Sequence, residues 1–300
     1  MAIVLAGHQY GKAENRVVRF QRDAARHEIF DLNVTSTLRG DFADAYLAGD
    51  QSKVLPTDTQ KNTIYSYAKE KGIATVEGYA LDLARHFVDD VEPVSCARID
   101  VDSHLWTRAV VDGAEHDHTW TRSGGEVRTA AVTVDGTGAQ QQVHVVAGLK
   151  DLTLLKSTGS EFRDFLVDGY TTLEPTGDRV MATSLVAQWR YDETCLSDGF
   201  DVDAAYDAVR AAFIAQFATL HSLALQQTLW HMGKAAVEAV PGVVEVRLAA
   251  PNKHHFLYDT ARFGVENAGE VFHADDRPYG LIQAVVARDD VPAAPLAWQR

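Results

Sequence analysis

The sequence predicts an α+β protein in which antiparallel β-sheets carry helices layered on one face. Three observations predict it. Segments of alternating apolar and polar residues, rich in β-branched types, come in pairs; long segments with helical apolar spacing lie between the pairs; and this order runs twice. Strands and helices do not alternate one by one, so a parallel doubly wound sheet is disfavoured.

In the first half, RVVRFQRD (16–23) and HEIFDLNVTSTLRG (27–40) read as a hairpin with ARHE (25–28) as its turn. KNTIYSYAKEKG (61–72) and VEGYALDLARHFVDDV (76–91) read as helices, and CARIDVDSHLWTRAVV (96–111) and HTWTRSG (118–124) return to strand. The second half repeats the pattern. VHVVAGLKDLTLLKS (143–157) and RVMATSLVAQWRYD (179–192) read as strands, and residues 201–220 and 222–240 as helices, the latter closed by Pro241-Gly242. VVEVRLAAP (243–251) and HHFLYD (254–259) follow as strands. Glycine and glutamine break the apolar pattern at 135–142, which sets the domain boundaries at 1–138 and 139–300, with a mobile tail from about 289.

The net charge of −14 argues against nucleic acid or an anionic membrane as the main partner. No run reaches the roughly 18 apolar residues of a membrane span, and no basic segment precedes the short apolar stretch at the N-terminus. Cys96 and Cys195 make one disulfide at most and no metal knuckle, which fits a reducing cytoplasm. Neither GxGxxG after a strand nor GxxxxGK[ST] is present.

Five places carry candidate chemistry. In PNKHHF (251–256), a strand would put Asn252, His254 and Phe256 on one face and Lys253 and His255 on the other. Asn with His can hold a water or an oxygen-rich ligand and pass a proton, and a strand-entry loop with surface histidines explains the same residues. Thr57 and Gln60 have the spacing of a capping box, yet a helix start is equally an anion site, and spacing does not separate the two. Lys12 follows a glycine; a lysine relays protons only where its surroundings favour the neutral amine. Gln226 and Gln227 open a helix, where an amide can pair with the edge of a planar heterocycle or simply meet water. His116 and His118 have the alternate spacing of strand metal ligands, but no third ligand and no HExxH or CxxC accompanies them.

YGK (10–12), TDTQKNTIY (57–65), LKSTGSEF (155–162), TTLEPTGDR (171–179), LQQTLWHM (225–232) and PNKHHF (251–256) stand in the order in which similar motifs occur in urate oxidases. NAGEVFHADDRPYGLI (267–282) closes the span, so the chain resembles that family over nearly its whole length. The resemblance implies two tandem tunnelling-fold (T-fold) domains per subunit and a homotetramer enclosing a β-barrel tunnel, with active sites at subunit interfaces. It implies oxidation of urate by O2 and water to 5-hydroxyisourate and H2O2, with no metal and no organic cofactor.

Carried over to this sequence, the resemblance makes Phe162 the stacking partner of the purine. Arg179 and Gln226 grip opposite edges of the ring, and Leu225 adds a main-chain contact. From the neighbouring subunit, Thr57 and the Asp58 amide reach the ligand; Lys12, Thr57 and His254 form the proton relay; and Asn252 with Thr57 holds O2 and then water. Two other readings are a non-catalytic purine-binding member and a metal enzyme centred on His116 and His118. The chain ends in AWQR and not in a peroxisomal SKL, which favours a bacterial cytoplasm.

Overall fold

A computed structural model of the chain describes residues 1–122 and 124–299. Its elements run β1 (Tyr10–Gln21), β2 (Glu28–Gly40), α1 (Ala43–Leu47), α2 (Thr57–Glu70), α3 (Val76–Asp89), β3 (Val94–His104), β4 (Thr107–Val111), β5 (Ala114–Thr121) and β6 (Val127–Asp135). Then follow β7 (Gln142–Lys156), β8 (Met181–Tyr191), α4 (Val202–Thr219), α5 (Leu225–Ala239), β9 (Val243–Leu257), β10 (Phe272–Ala287) and α6 (Pro295–Trp298). Set aside the short α1 and the β4–β5 hairpin, and the order strand–strand–helix–helix–strand–strand occurs twice before α6, as the sequence pattern predicts. By compactness the chain forms two units that interleave: Met1–Gly148 with Arg190–Asp203 and Pro292–Arg300, and Leu149–Trp189 with Ala204–Val291. The chain passes from one unit to the other inside β7 and inside β8.

In the first unit β1, β2, β3 and β6 lie side by side, each neighbouring pair antiparallel. β2 shows the expected alternation: Leu32, Val34, Ser36 and Leu38 are buried along one face. The helices α2 and α3 pack on this sheet, α3 over β3 and β6 and α2 over β1. Ile64, Leu83 and Phe87 from the helices are fully buried, as are Leu32, Ile99 and Val132 from the strands. The stretch 96–111, expected as one strand, breaks after His104, and its second part turns back on β5 through Asp112 and Gly113. Both have positive φ, as a two-residue hairpin loop requires. Ser123, in the strand expected at 118–124, lies outside the described residues.

The C-terminal tail corrects an expectation. The segment expected to be mobile from about 289 forms α6, where Ala297 is buried with Ala131 and Val146, and Ala294 and Trp298 pack beside them. The buried Arg98 guanidinium donates to the Ala297 carbonyl at 2.9 Å. The reason is mutual need: a one-turn helix leaves its carbonyls unpaired, and a buried guanidinium must find acceptors.

In the second unit the rest of β7 is followed by β8, β9 and β10 in spatial order. β9 and β10 are antiparallel, with a register shift between Asp275 and Gly280. β9 runs unbroken through Pro251, where the sequence suggested two separate strands. α5 packs on β9 and β10, with Leu229, Met232 and Ala236 buried. On α4, Phe213 meets Trp189 of β8 edge to face, ring centroids 6.0 Å apart. Among the described residues no helix is long and apolar enough to cross a membrane. Cys96 and Cys195 are both free.

α5 approaches β10 closely at Gly233, where a Cβ would come within 2.6 Å of Val286 Cγ2 and 3.3 Å of Leu248 Cδ1. Overpacking there costs about 1–3 kcal/mol and outweighs the ~1 kcal/mol that alanine gains over glycine inside a helix. Gly233→Ala is therefore expected to lower the midpoint of chemical unfolding; an unchanged or higher midpoint would show that the α5–β10 contact has slack.

Candidate active site

The second unit builds a wall from three chain segments laced by main-chain hydrogen bonds. Phe162 and Thr176 exchange both of theirs at 2.9 Å. Arg179 N donates to Ser160 O at 2.7 Å, Glu161 N to Ser222 O at 2.8 Å, and Ser222 N to Gly159 O at 2.9 Å. Gly159 supplies the left-handed turn, φ 76°, that begins this wall. Asp178 closes that turn by accepting from Thr158 Oγ1 at 2.7 Å and Gly159 N at 2.9 Å, and the Thr158 hydroxyl leads in holding its carboxyl below the usual range.

On this wall stands Arg179. Its Nε donates to Ser160 Oγ at 3.4 Å, and its guanidinium carbon lies 5.2 Å from the centre of the Phe162 ring. Partial burial draws its pKa below the ordinary arginine value, and among the described residues no carboxylate pairs with it. The buried acid nearest in sequence, Glu161, is occupied instead by Arg163 at 2.6 Å and by His221 at 3.3 Å. A guanidinium cannot shed its charge, so a partly buried one with no acid partner is set to receive an anionic or carbonyl edge. Phe162 is itself stacked on Phe165, centroids 5.1 Å apart and planes 16° apart.

Ser222 leads straight into α5, whose first residues are Leu225 and Gln226. Leu225 is buried. The two glutamines that look alike in sequence part company here. Gln227 Oε1 accepts from Leu223 N at 2.9 Å and so ties down the helix start, whereas the exposed Gln226 side chain makes no hydrogen bond to the described residues. Beneath the wall lies a hydroxyl network that the sequence did not announce. Thr228 Oγ1 donates to Ser222 Oγ at 2.8 Å, and Ser160 and Ser222 both direct their hydroxyls at Met181 Sδ, at 3.6 and 3.7 Å. Ser160, Ser222 and Thr228 are fully buried.

Asn252 and His254 lie on β9 opposite the ends of the register shift in β10, Asn252 against Gly280 and His254 against Asp275. They share a face: the His254 ring stacks on Phe256, centroids 5.6 Å and planes 20° apart. His255 turns its Nδ1 to the Lys253 carbonyl, 3.2 Å away.

The remaining candidates lie in the first unit. Lys12 sits at a β-bulge in β1, where the buried Asn15 amide donates to Lys12 O at 3.1 Å and Val34 O at 2.8 Å. Thr57 is the first residue of α2. The capping box weighed for Thr57 and Gln60 is not formed, because the capping position is Pro56, which has no N–H for Gln60 to reach back to and no side chain that caps. Gln60 is buried and turned elsewhere. The Asp58 carboxylate is taken by Lys61, and Asn62 donates to it at 3.2 Å; the Lys61 hydrogen bond leads in lowering its pKa, with the charge of Lys12 also contributing. His116 and His118 meet edge to face on β5, and among the described residues no third His, Cys, Asp or Glu completes a metal-binding group with them.

The structure thus brings Phe162, Arg179, Leu225 and Gln226 onto one wall, Asn252 and His254 onto one strand face, and Lys12, Thr57 and Asp58 onto β1 and the start of α2. A family model described as Uricase matches residues 8–133 and 145–283. The chain belongs to the uricase family. It is 47% identical to the uricase of Arthrobacter globiformis over 99% of this chain and 94% of that protein, and 33% identical to the uricase of Cyberlindnera jadinii over 97% and 99%. The crystal structure of the Arthrobacter globiformis uricase superposes with a TM-score of 0.90 over 98% of each chain. That of a uricase from Bacillus fastidious, 25% identical, gives 0.82 over 96% of this chain and 95% of that one. These matches establish the antiparallel α+β fold of the uricases for this chain.

The hydroxyls below the wall are expected to hold this uricase-family fold together as well as the wall. Thr228→Val keeps the shape of the side chain and removes the donor to Ser222. A lost buried hydrogen bond costs about 0.5–1.5 kcal/mol, so the unfolding midpoint in denaturant should fall with its slope unchanged. A midpoint equal to that of the parent protein would mean the network is idle.

Proposed function

We propose that this member of the uricase family oxidises urate with O2 and water to 5-hydroxyisourate and H2O2, with no metal or organic cofactor, at a site shared between two copies of the chain. The observation that carries the reading is Arg179: a partly buried guanidinium, held by Ser160 beside the Phe162 ring and left without an acid among the described residues. Urate offers what this arrangement lacks. Its flat ring stacks on Phe162, which requires Phe165 to yield that face or the purine to take the other, and its oxygen and nitrogen edge accepts the forked donors of Arg179. Gln226, with its amide unengaged, takes the opposite edge, and the Leu225 main chain adds to it.

The chemistry follows from the substrate. Triplet O2 reacts slowly with closed-shell molecules, a barrier that flavins and metals usually remove. An electron-rich urate anion removes it by giving up one electron first. In sum, urate loses two electrons and two protons to O2, giving H2O2, and water adds to the dehydrogenated ring at the carbon left electron-poor. Lys12 and Thr57 move the proton, Asn252 with Thr57 holds first O2 and then water over the ring, and His254 draws the proton from the attacking water. Confinement of ring and gas in one small site supplies the encounter geometry.

The need for a second copy rests on the sheet edges. β1 and β10 are each hydrogen-bonded to a neighbour on one side only, and Phe20, Val18, Leu281 and Val285 on them are exposed. Unpaired strand edges that carry exposed apolar side chains favour pairing with another chain. A homotetramer whose sheets close into a barrel satisfies both edges. It also lets Lys12, Thr57 and Asp58 of one subunit complete the wall of another.

One experiment tests the reading. Purified protein freed of metal by exhaustive chelation is mixed with urate, and O2 uptake, H2O2 release and loss of urate absorbance are followed together. Equimolar consumption and release are expected. Arg179→Gln, which loses a charge-assisted hydrogen bond of about 1.5–3 kcal/mol, should lower kcat/KM about ten- to a hundredfold. Activity that disappears on chelation and returns with metal, or an Arg179→Gln enzyme as efficient as its parent, would overturn the proposal.

A further inference from the structure

Gln60, freed from capping by Pro56, has another use. It is fully buried, one turn beyond Thr57 on α2. Its Oε1 accepts from Ser36 Oγ at 2.8 Å, and Ser36 is the residue opposite Lys12 in the β1–β2 register. Ser36 Oγ in turn accepts from the Lys12 main-chain N–H at 3.3 Å. The other end of the Gln60 side chain donates to the Leu55 carbonyl at 3.4 Å, where Tyr10 also donates its hydroxyl at 3.1 Å. Leu55 lies two residues before Thr57, and Tyr10 two residues before Lys12. Two stitches therefore fasten the strand that carries Lys12 to the chain that enters the helix of Thr57.

Both places would otherwise have slack. β1 shifts register between Lys12 and Asn15, with Glu14 at a positive φ of 57°. The start of α2 has no side-chain cap. The Asn15 amide ties the bulge to β2, and what fixes it relative to the uncapped helix start is the set of contacts that span the two. Here the span is Ser36 and Gln60, both buried and each hydrogen-bonded at both ends.

We infer that Ser36 and Gln60 are positioning residues of the proton relay, setting Lys12 and Thr57 at working distance although neither touches the substrate. The inference rests on the reading that Lys12 and Thr57 move the proton. A displacement on the order of 1 Å of a positioned group costs up to about a hundredfold in rate, so a small loosening of these stitches reaches the chemistry.

A double-mutant cycle on the full-length enzyme with urate tests it. Gln60→Met and Ser36→Ala are each expected to lower kcat about tenfold or more while leaving the urate KM near that of the parent, because the ring is gripped by Arg179, Gln226 and Phe162. Ser36→Thr, which keeps the hydroxyl, should restore much of the rate. In a Lys12→Met background, adding Gln60→Met should cost clearly less than it does in the parent, the remainder reflecting the hold of Thr57 on O2. Equal losses in both backgrounds, or a loss in KM alone, would overturn the inference while leaving the roles of Lys12 and Thr57 intact. Full turnover by Lys12→Met itself would instead overturn the relay, and the inference with it. If Gln60→Met does not fold, Ser36→Ala carries the same cycle.

Discussion

A guanidinium that cannot lose its proton, drawn partly out of water and given no carboxylate among the described residues, is the interaction on which the proposed site depends. Glu161 is close in sequence to the Phe162 ring that Arg179 lies beside, yet Arg163 and His221 hold it. Ser160 supplies a neutral oxygen, enough to orient Arg179 and not enough to neutralise it. The burial is unfavourable for the free protein and becomes favourable only when an acceptor edge arrives. A net charge of −14 does not exclude the anion that the proposed function places at Arg179, because among the described residues this local cation has no carboxylate partner.

Around that cation the fold supplies rigidity. The wall is made of residues far apart in the chain, 159–162, 176–179 and 222–226, joined by main-chain hydrogen bonds and underpinned by buried hydroxyls. α5 presents Leu225 and Gln226 at its first turn, and its close approach to β10 at Gly233 fixes the helix on the same sheet that carries Asn252 and His254. Phe162, Arg179, Gln226, Asn252 and His254, to which the proposal gives the ring, O2 and water, thus belong to one compact unit, while Lys12 and Thr57 belong to the other.

What was legible in the sequence follows from how each signal is written. β2 alternates because one face is buried, and its period was plain. β6, VRTAAVTVD, is buried on nearly every residue and shows no alternation, so it escaped notice. β10 escaped too, because its first half is polar and carries Pro278 beside the register shift. Pro56 moved the start of α2 to Thr57 and undid the capping box that spacing suggested. Phe162, Arg179 and Gln226 stood out through motifs, and the structure gathers them on one wall. Ser36, Gln60, Ser160, Ser222 and Thr228 did not stand out. Their meaning lies in hydroxyl and amide partners distant along the chain, and a serine or glutamine with a buried partner looks in sequence like one that meets water.

The central claim is that Arg179 is the unanswered charge that receives the purine. The most direct test is a crystal structure of the protein with a xanthine-like purine that resists oxidation. The account predicts the compound flat against Phe162, one edge within hydrogen-bond distance of the Arg179 guanidinium, the other at the Gln226 carboxamide, and Thr57 of a second subunit close to the ring. A purine bound far from both Arg179 and Gln226 would contradict it.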